Sequence, residues 1–249
     1  MTPPQHLDDI LRDWPYDPDE GAVRLTEGEG GREVLQMRID LGVLQLETTD
    51  RPDGLRPGGF ATMREQLTDI AAKAGEGFLF SEEQCLDADR EFVQFYHRRV
   101  CWLQLARYEM AVRDADHTLA MMDLCALHSP DERWTLTHEQ YRPFVLYHRT
   151  QASALAALER SGAEEAVEEM NAGLERLREL FAQFEVEEHF DENDLVVQLT
   201  KMREQLREEY QVGRTLQERL QDAVSAEQYE LAAEIRDLLD RRHEGGGKN

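Results

Sequence analysis

The apolar residues of this chain change their period once, near residue 60. That change points to a mainly α fold with a small antiparallel β element in front. Before it, Val23, Leu25, Leu35, Met37, Ile39 and Leu41 alternate with polar neighbours, the spacing of half-buried strands. Residues 27–31, between two such runs, carry the glycines of a hairpin turn. Gly42 interrupts the alternation and Val43, Leu44 and Leu46 resume it, which predicts a bulge or a third short strand. Residues 7–14 read as a short helix stopped by Pro15 and Pro18, and residues 50–59 as a loop rich in proline and glycine.

From about Phe60 the spacing is helical. It predicts helices over 60–74, 82–106, 108–128, 137–159, 163–184 and 192–211, with two shorter ones after Gly213. Composition divides the chain into a β-containing segment (1–60), a helical domain (61–190), a connecting helix (191–212), a C-terminal hairpin (213–243) and a disordered tail (244–249).

Charge narrows the function. Among 249 residues, 52 are Asp or Glu and 28 are Lys or Arg, a net charge of −24 that repels phosphate polyanions. Direct nucleic-acid binding and an anionic membrane are not expected. No apolar run approaches the ~20 residues of a membrane helix, and the N-terminus shows no secretion signal. Cys85, Cys101 and Cys125 are odd in number and widely spaced, which argues for reduced thiols in a cytoplasm rather than a disulfide or cysteine–zinc framework.

A weak internal repeat lies in the helical region. Phe95-Tyr96-His97-Arg98 recurs 51 residues later as Leu146-Tyr147-His148-Arg149. Phe95, Trp102, Tyr108, Ala111 and Ala115 fall at the large and small positions of a tetratricopeptide (TPR) helix pair, which the first copy resembles. The second copy is looser, with Ala154, Ala157, Ala163, Ala166 and Met170 in the matching places. Arg99 stands where that family has a glycine, and Thr118 where it has an alanine. The same residues also fit ordinary packed helices with a chance repeat. Tyr96, His97, Arg98, Tyr147, His148 and Arg149 are candidates for a groove, as hydrogen-bonding partners or as ligand contacts.

The most specific stretch is C-terminal. Leu216, Leu220 and Val224 recur every four residues on one helix, and Ala232, Ile235 and Leu239 form a second stripe flanked by Leu231 and Leu238. Tyr229 sits at the turn, where a ring can close the open end of a hairpin. Two helices of this size cannot bury both stripes alone, and each leucine left in water forgoes about 1.5–3 kcal/mol. Leu220, Ala223, Glu227, Tyr229, Glu230, Ala232, Ala233, Ile235, Arg236 and Asp237 resemble the UVR motif, named after the UvrB and UvrC subunits of the bacterial excision nuclease. The resemblance implies a helical hairpin that docks on a second copy or on another UVR-containing protein. Leu216, Leu220, Val224, Tyr229, Ala232, Ile235, Arg236 and Leu239 are then the candidate partner-binding residues. The alternative is a hairpin docked on its own domain. Residues 1–212 resemble bacterial proteins that end in this same motif, which implies no particular activity.

No phosphate-binding loop or nuclease cluster is present, and Lys73, Lys201 and Lys248 are the only lysines. Asp114 and Asp116 lie two apart and so on different helix faces, a poor chelate. Five arginines of the hairpin region face seven carboxylates, so it offers no basic patch for DNA. No catalytic residue, cofactor or metal is expected. The reading is a non-catalytic adaptor. The alternatives are an accessory factor of nucleotide excision repair, and a ligand-binding or enzyme-like domain with a groove near His97 and His148.

Overall fold

The structure, a computed structural model, describes residues 7–17 and 22–246. These residues form a mainly helical fold with a small N-terminal antiparallel sheet and a helix pair near the C-terminus. By internal contacts the chain forms two compact units, Met1–Ala152 and Ser153–Asn249.

In the first unit, helix α1 (Leu7–Asp13) precedes strands β1 (Val23–Glu27), β2 (Glu33–Ile39) and β3 (Gly42–Glu47). The strands form a meander in sequence order, with Leu25 opposite Leu35 and Leu35 opposite Leu46. The β1–β2 turn needs left-handed backbone, which Gly30 (φ 77°) and Gly31 (φ 78°) supply. The third strand begins at Gly42, and the two-residue turn before it takes Leu41 out of the alternation. Leu41 is 86% exposed there, so the strand period ends at Ile39. Leu35 and Leu46 pack with Cys101, Trp102, Ala111 and Ala152, and the other face carries a ladder from Arg24 through Gln36 to Gln45.

Helices α2 (Met63–Ala74), α3 (Glu82–Gln104) and α4 (Tyr108–His128) follow, then α5 (Glu132–Glu139) and α6 (Arg142–Arg160). The continuous helix expected over 137–159 is broken at Gln140 and Tyr141. Pro143 is the reason: it has no N–H, so it sits in the first turn of a new helix, where no intrahelical partner is lost. Helices α3 and α4 pair, with Ala111 and Ala115 fully buried on α4. The cysteines are buried fillers, and burial pushes the Cys101 thiol up to about 12.

A buried ion pair joins these elements. Arg98 grips Asp114 with two bonds of 2.7 and 2.9 Å, and its remaining nitrogen donates to the carbonyls of Glu47, Thr49 and Asp50. Trp102 Nε1 donates to the same carboxylate at 3.1 Å. Asp114→Ala is expected to cost the first unit about 3–5 kcal/mol, because it leaves a buried guanidinium uncompensated. Urea unfolding followed by tryptophan fluorescence, with Trp102 beside the pair, checks this.

The second unit holds α7 (Ala163–Gln183) and α8 (Asp194–Tyr210), with Val167, Met170, Leu177 and Leu199 fully buried. Phe181 meets Phe190 edge-on at 5.5 Å. The C-terminal pair is α9 (Leu216–Ser225) and α10 (Tyr229–Gly246). Helix α10 thus runs into the residues expected as a disordered tail, of which 247–249 lie outside the described residues. No helix among the described residues is long and apolar enough to cross a membrane.

Candidate partner-docking hairpin

Helix α9 starts at Thr215, whose hydroxyl accepts the Glu218 N–H while Glu218 accepts the Thr215 N–H, a reciprocal cap. It ends with Gln228 donating to the Ala223 carbonyl and Glu227 donating to Val224, a geometry that holds Glu227 at φ 57°. That turn folds α10 back on α9. Ala223, Ala232 and Ile235 are 2–4% exposed, and Leu216, Leu220 and Leu239 pack around them. The hairpin therefore closes a small core of its own.

Of the eight residues expected at a partner surface, Ala232 and Ile235 are interior and Leu216, Leu220 and Leu239 are half-buried. Arg236 and Val224 are exposed. Tyr229 is 68% exposed at the start of α10, so its ring stands in solvent and does not close the hairpin end. Leu231 and Leu238, read in the sequence as flanks, are 40% and 45% exposed. Seven residues apart, they share one edge of α10.

The entry to the hairpin is fastened to α7 and α8. Glu164 accepts the Leu216 N–H and Glu168 the Gln217 N–H, each at 3.2 Å. Thr215, fully buried, also hydrogen-bonds Glu168. Glu218 accepts from Asn171 at 3.1 Å and pairs with Arg207, which also donates to the Gly213 carbonyl. Arg203 donates to Asn171 at 3.0 Å. The first-turn N–H groups of α9, which lack intrahelical partners, thus find acceptors on another helix. Nothing in the local spacing of the sequence marks Glu164, Glu168 or Asn171 for this role.

Two carboxylates there shift in opposite directions. Burial raises Glu168, reinforced by the charges of Glu218 and Glu164 against the bonds from Thr215 and Gln217. Burial would also raise Glu218, but the bonds from Arg207, Thr215 and Asn171 outweigh it and hold the group low. Glu218 therefore adds stability above its unfolded pKa and loses it as pH falls through its lower folded value. Glu168 has the opposite sign and is unfavourable when ionised. Glu168→Gln keeps an acceptor oxygen and should raise the melting temperature at pH 7, with the gain shrinking as pH falls through the raised folded pKa and gone below the unfolded value of about 4. Glu218→Ala should cost about 1–2 kcal/mol at pH 7. Thermal melts of both variants across pH check the two signs.

The candidate groove residues separate into two sets. Arg98 is taken up by Asp114, whereas Arg149 pairs with Asp116 at 2.5 Å and keeps a buried Nη1 without a hydrogen-bond partner. Tyr96, Tyr147 and His148 gather around Phe144, whose ring lies 4.2 Å from His148 and 6.4 Å from Tyr96 and Tyr147, and His97 lies against Tyr96 at 5.3 Å. Beneath them lies Arg99, 1% exposed, bonded to His148 Nδ1 at 3.4 Å and the Thr118 hydroxyl at 3.1 Å. Its signal in the sequence was a cation at the family's glycine position. Accepting on Nδ1 leaves His148 neutral, with its proton on Nε2. Burial, then the Arg99 charge, pushes His148 down to about 4. Burial lowers His97 as well.

An open groove of about 550 Å³ runs elsewhere, along α4, lined by Arg64, Glu109, Val112, Arg113, Asp116, His117 and Ala120. None of Tyr96, His97, Tyr147 and His148 lines it. Both ring nitrogens of His117 are engaged there, by Glu91 at 2.9 Å and Arg64 at 3.4 Å. Among the described residues no group of three or more His, Cys, Asp or Glu is placed to hold a metal ion.

Residues 214–241 match the UvrB/uvrC motif model, so α9 and α10 as far as residue 241 are a UVR motif helix pair. No curated protein and no solved structure matches the chain.

Proposed function

We propose that the chain is a non-catalytic adaptor that docks a protein partner through its UVR hairpin, the partner being a second copy or another UVR-containing protein. The observation that carries this is the state of the hairpin's apolar residues. Its own core is closed, yet Leu231 and Leu238 remain exposed on one edge and Val224 and Tyr229 elsewhere. The helical body, read as TPR-like hairpins around α3 and α4, serves a second partner. A cytoplasmic setting fits the three unpaired thiols.

The test follows from burial. Ile235→Asp would unfold the hairpin, because that side chain is interior. Leu231→Asp with Leu238→Asp leaves the hairpin core intact. It should abolish capture of the partner by the full-length protein, or its self-association in sedimentation, with the melting temperature unchanged. Unchanged association would overturn the docking reading.

A second reading has one observation in its favour, the buried guanidinium of Arg99 under a cluster of aromatic and neutral histidine side chains, with hydrogen bonds to His148 and Thr118 rather than to a carboxylate. It makes Tyr96, His97, Tyr147 and His148 the surface of a ligand site. A thermal-shift screen of anionic metabolites should then show stabilisation of the wild type that is lost in His97→Ala with His148→Ala. No stabilisation in the wild type rejects it.

A further inference from the structure

The bonds at the start of α9 bear on how the hairpin acts once a partner is seated on it, a question that rests on the docking reading. A docking module on a free tether can rotate without moving its host. This hairpin follows a short connection after Tyr210, and that connection is pinned by Arg207 to the Gly213 carbonyl at 2.5 Å. Thr215 is fully buried, which is unusual for a cap at the mouth of an independent hairpin. Two successive backbone N–H groups of α9, those of Leu216 and Gln217, end on carboxylates of α7. Glu218 then joins α9 to both other helices, through Asn171 on α7 and Arg207 on α8.

These contacts are directional and come from two helices. Hydrogen bonds from α7 fix the height and tilt of the first turn of α9. The Arg207–Glu218 pair, whose side chains are 17% and 22% exposed, fixes its rotation. Apolar packing alone would let the hairpin slide, whereas backbone donors aimed at particular carboxylates do not.

We infer that Glu164, Glu168, Asn171 and Arg207 form a latch that holds the UVR hairpin in one posture on α7–α8, so that a partner seated on the hairpin acts directly on those helices. The latch is built from charged and polar groups at the edge of the unit. It is therefore the part of the hairpin's attachment that opens without unfolding either helix pair.

Distances between spin labels in the full chain, without any partner, test this. Glu175→Cys on α7 and Glu234→Cys on α10 place labels at exposed positions. The native cysteines are buried, and burial raises their thiols, so they react slowly. The wild-type latch should give one narrow distance distribution. Asn171→Ala with Arg207→Ala, and separately Glu164→Ala with Glu168→Ala, should each broaden it at least twofold while helix content by circular dichroism stays constant. A broad distribution with the latch intact, or unchanged widths in both variants, would overturn the inference. Because no partner is present, either result is independent of whether Leu231 and Leu238 dock one.

Discussion

The first unit depends on a single buried carboxylate. Asp114, fully buried on α4, takes two bonds from Arg98 on α3 and one from Trp102, and Arg113 reaches it at 3.2 Å. A charge at that depth is tolerable only when every lone pair is used. The consequence extends beyond the helix pair. Arg98 keeps one nitrogen for the carbonyls of Glu47, Thr49 and Asp50, at and just beyond the end of β3, so the chain leaving the sheet is tied to the same point that locks α3 to α4. Remove Asp114, and the sheet, the loop and the helix crossing lose a common anchor.

Acidic side chains do a related job twice more. Glu91, 1% exposed on α3, accepts the N–H groups of Met63 and Arg64 at the start of α2 and also meets His117. Glu164 and Glu168 do the same for α9. In each case a helix start is capped by carboxylates from another helix, where the positive end of the helix dipole favours them. A net charge of −24 would suggest that the acids serve only solvation. Several of them instead set where helices begin.

What was legible in the sequence was periodicity. Apolar spacing located the strands and the long helices to within a few residues, because burial imposes that spacing directly. The pairing of Arg98 with Asp114 was not legible: sixteen residues separate them, across a helix turn, and no local pattern selects one arginine among many. The repeated Tyr-His-Arg segments looked equivalent, yet helix geometry turned the two arginines toward different carboxylates and left the tyrosines and His148 to gather round Phe144. In the hairpin, the two leucine stripes were visible, but not that Ala223, Ala232 and Ile235, with Leu216, Leu220 and Leu239 packed around them, would close its core and leave Tyr229 outside.

That closed core constrains what the hairpin can dock. Leu231 and Leu238 are already more than half covered, so burying the remainder contributes about 1 kcal/mol each. Association costs about 4 kcal/mol or more before any contact is counted, so these two residues alone cannot hold a partner. Val224 and Tyr229 add exposed apolar area. Tyr229, however, lies two residues from Leu231, about 200° round an α-helix, so the two face away from each other. One flat helix cannot cover both edges. A partner made of two helices can grip α10 from either side, and its own charged residues would meet Arg219, Glu234 and Arg241, which the hairpin exposes. The docking reading thus calls for a helical-hairpin partner, and a single amphipathic helix is too small to bind by these residues.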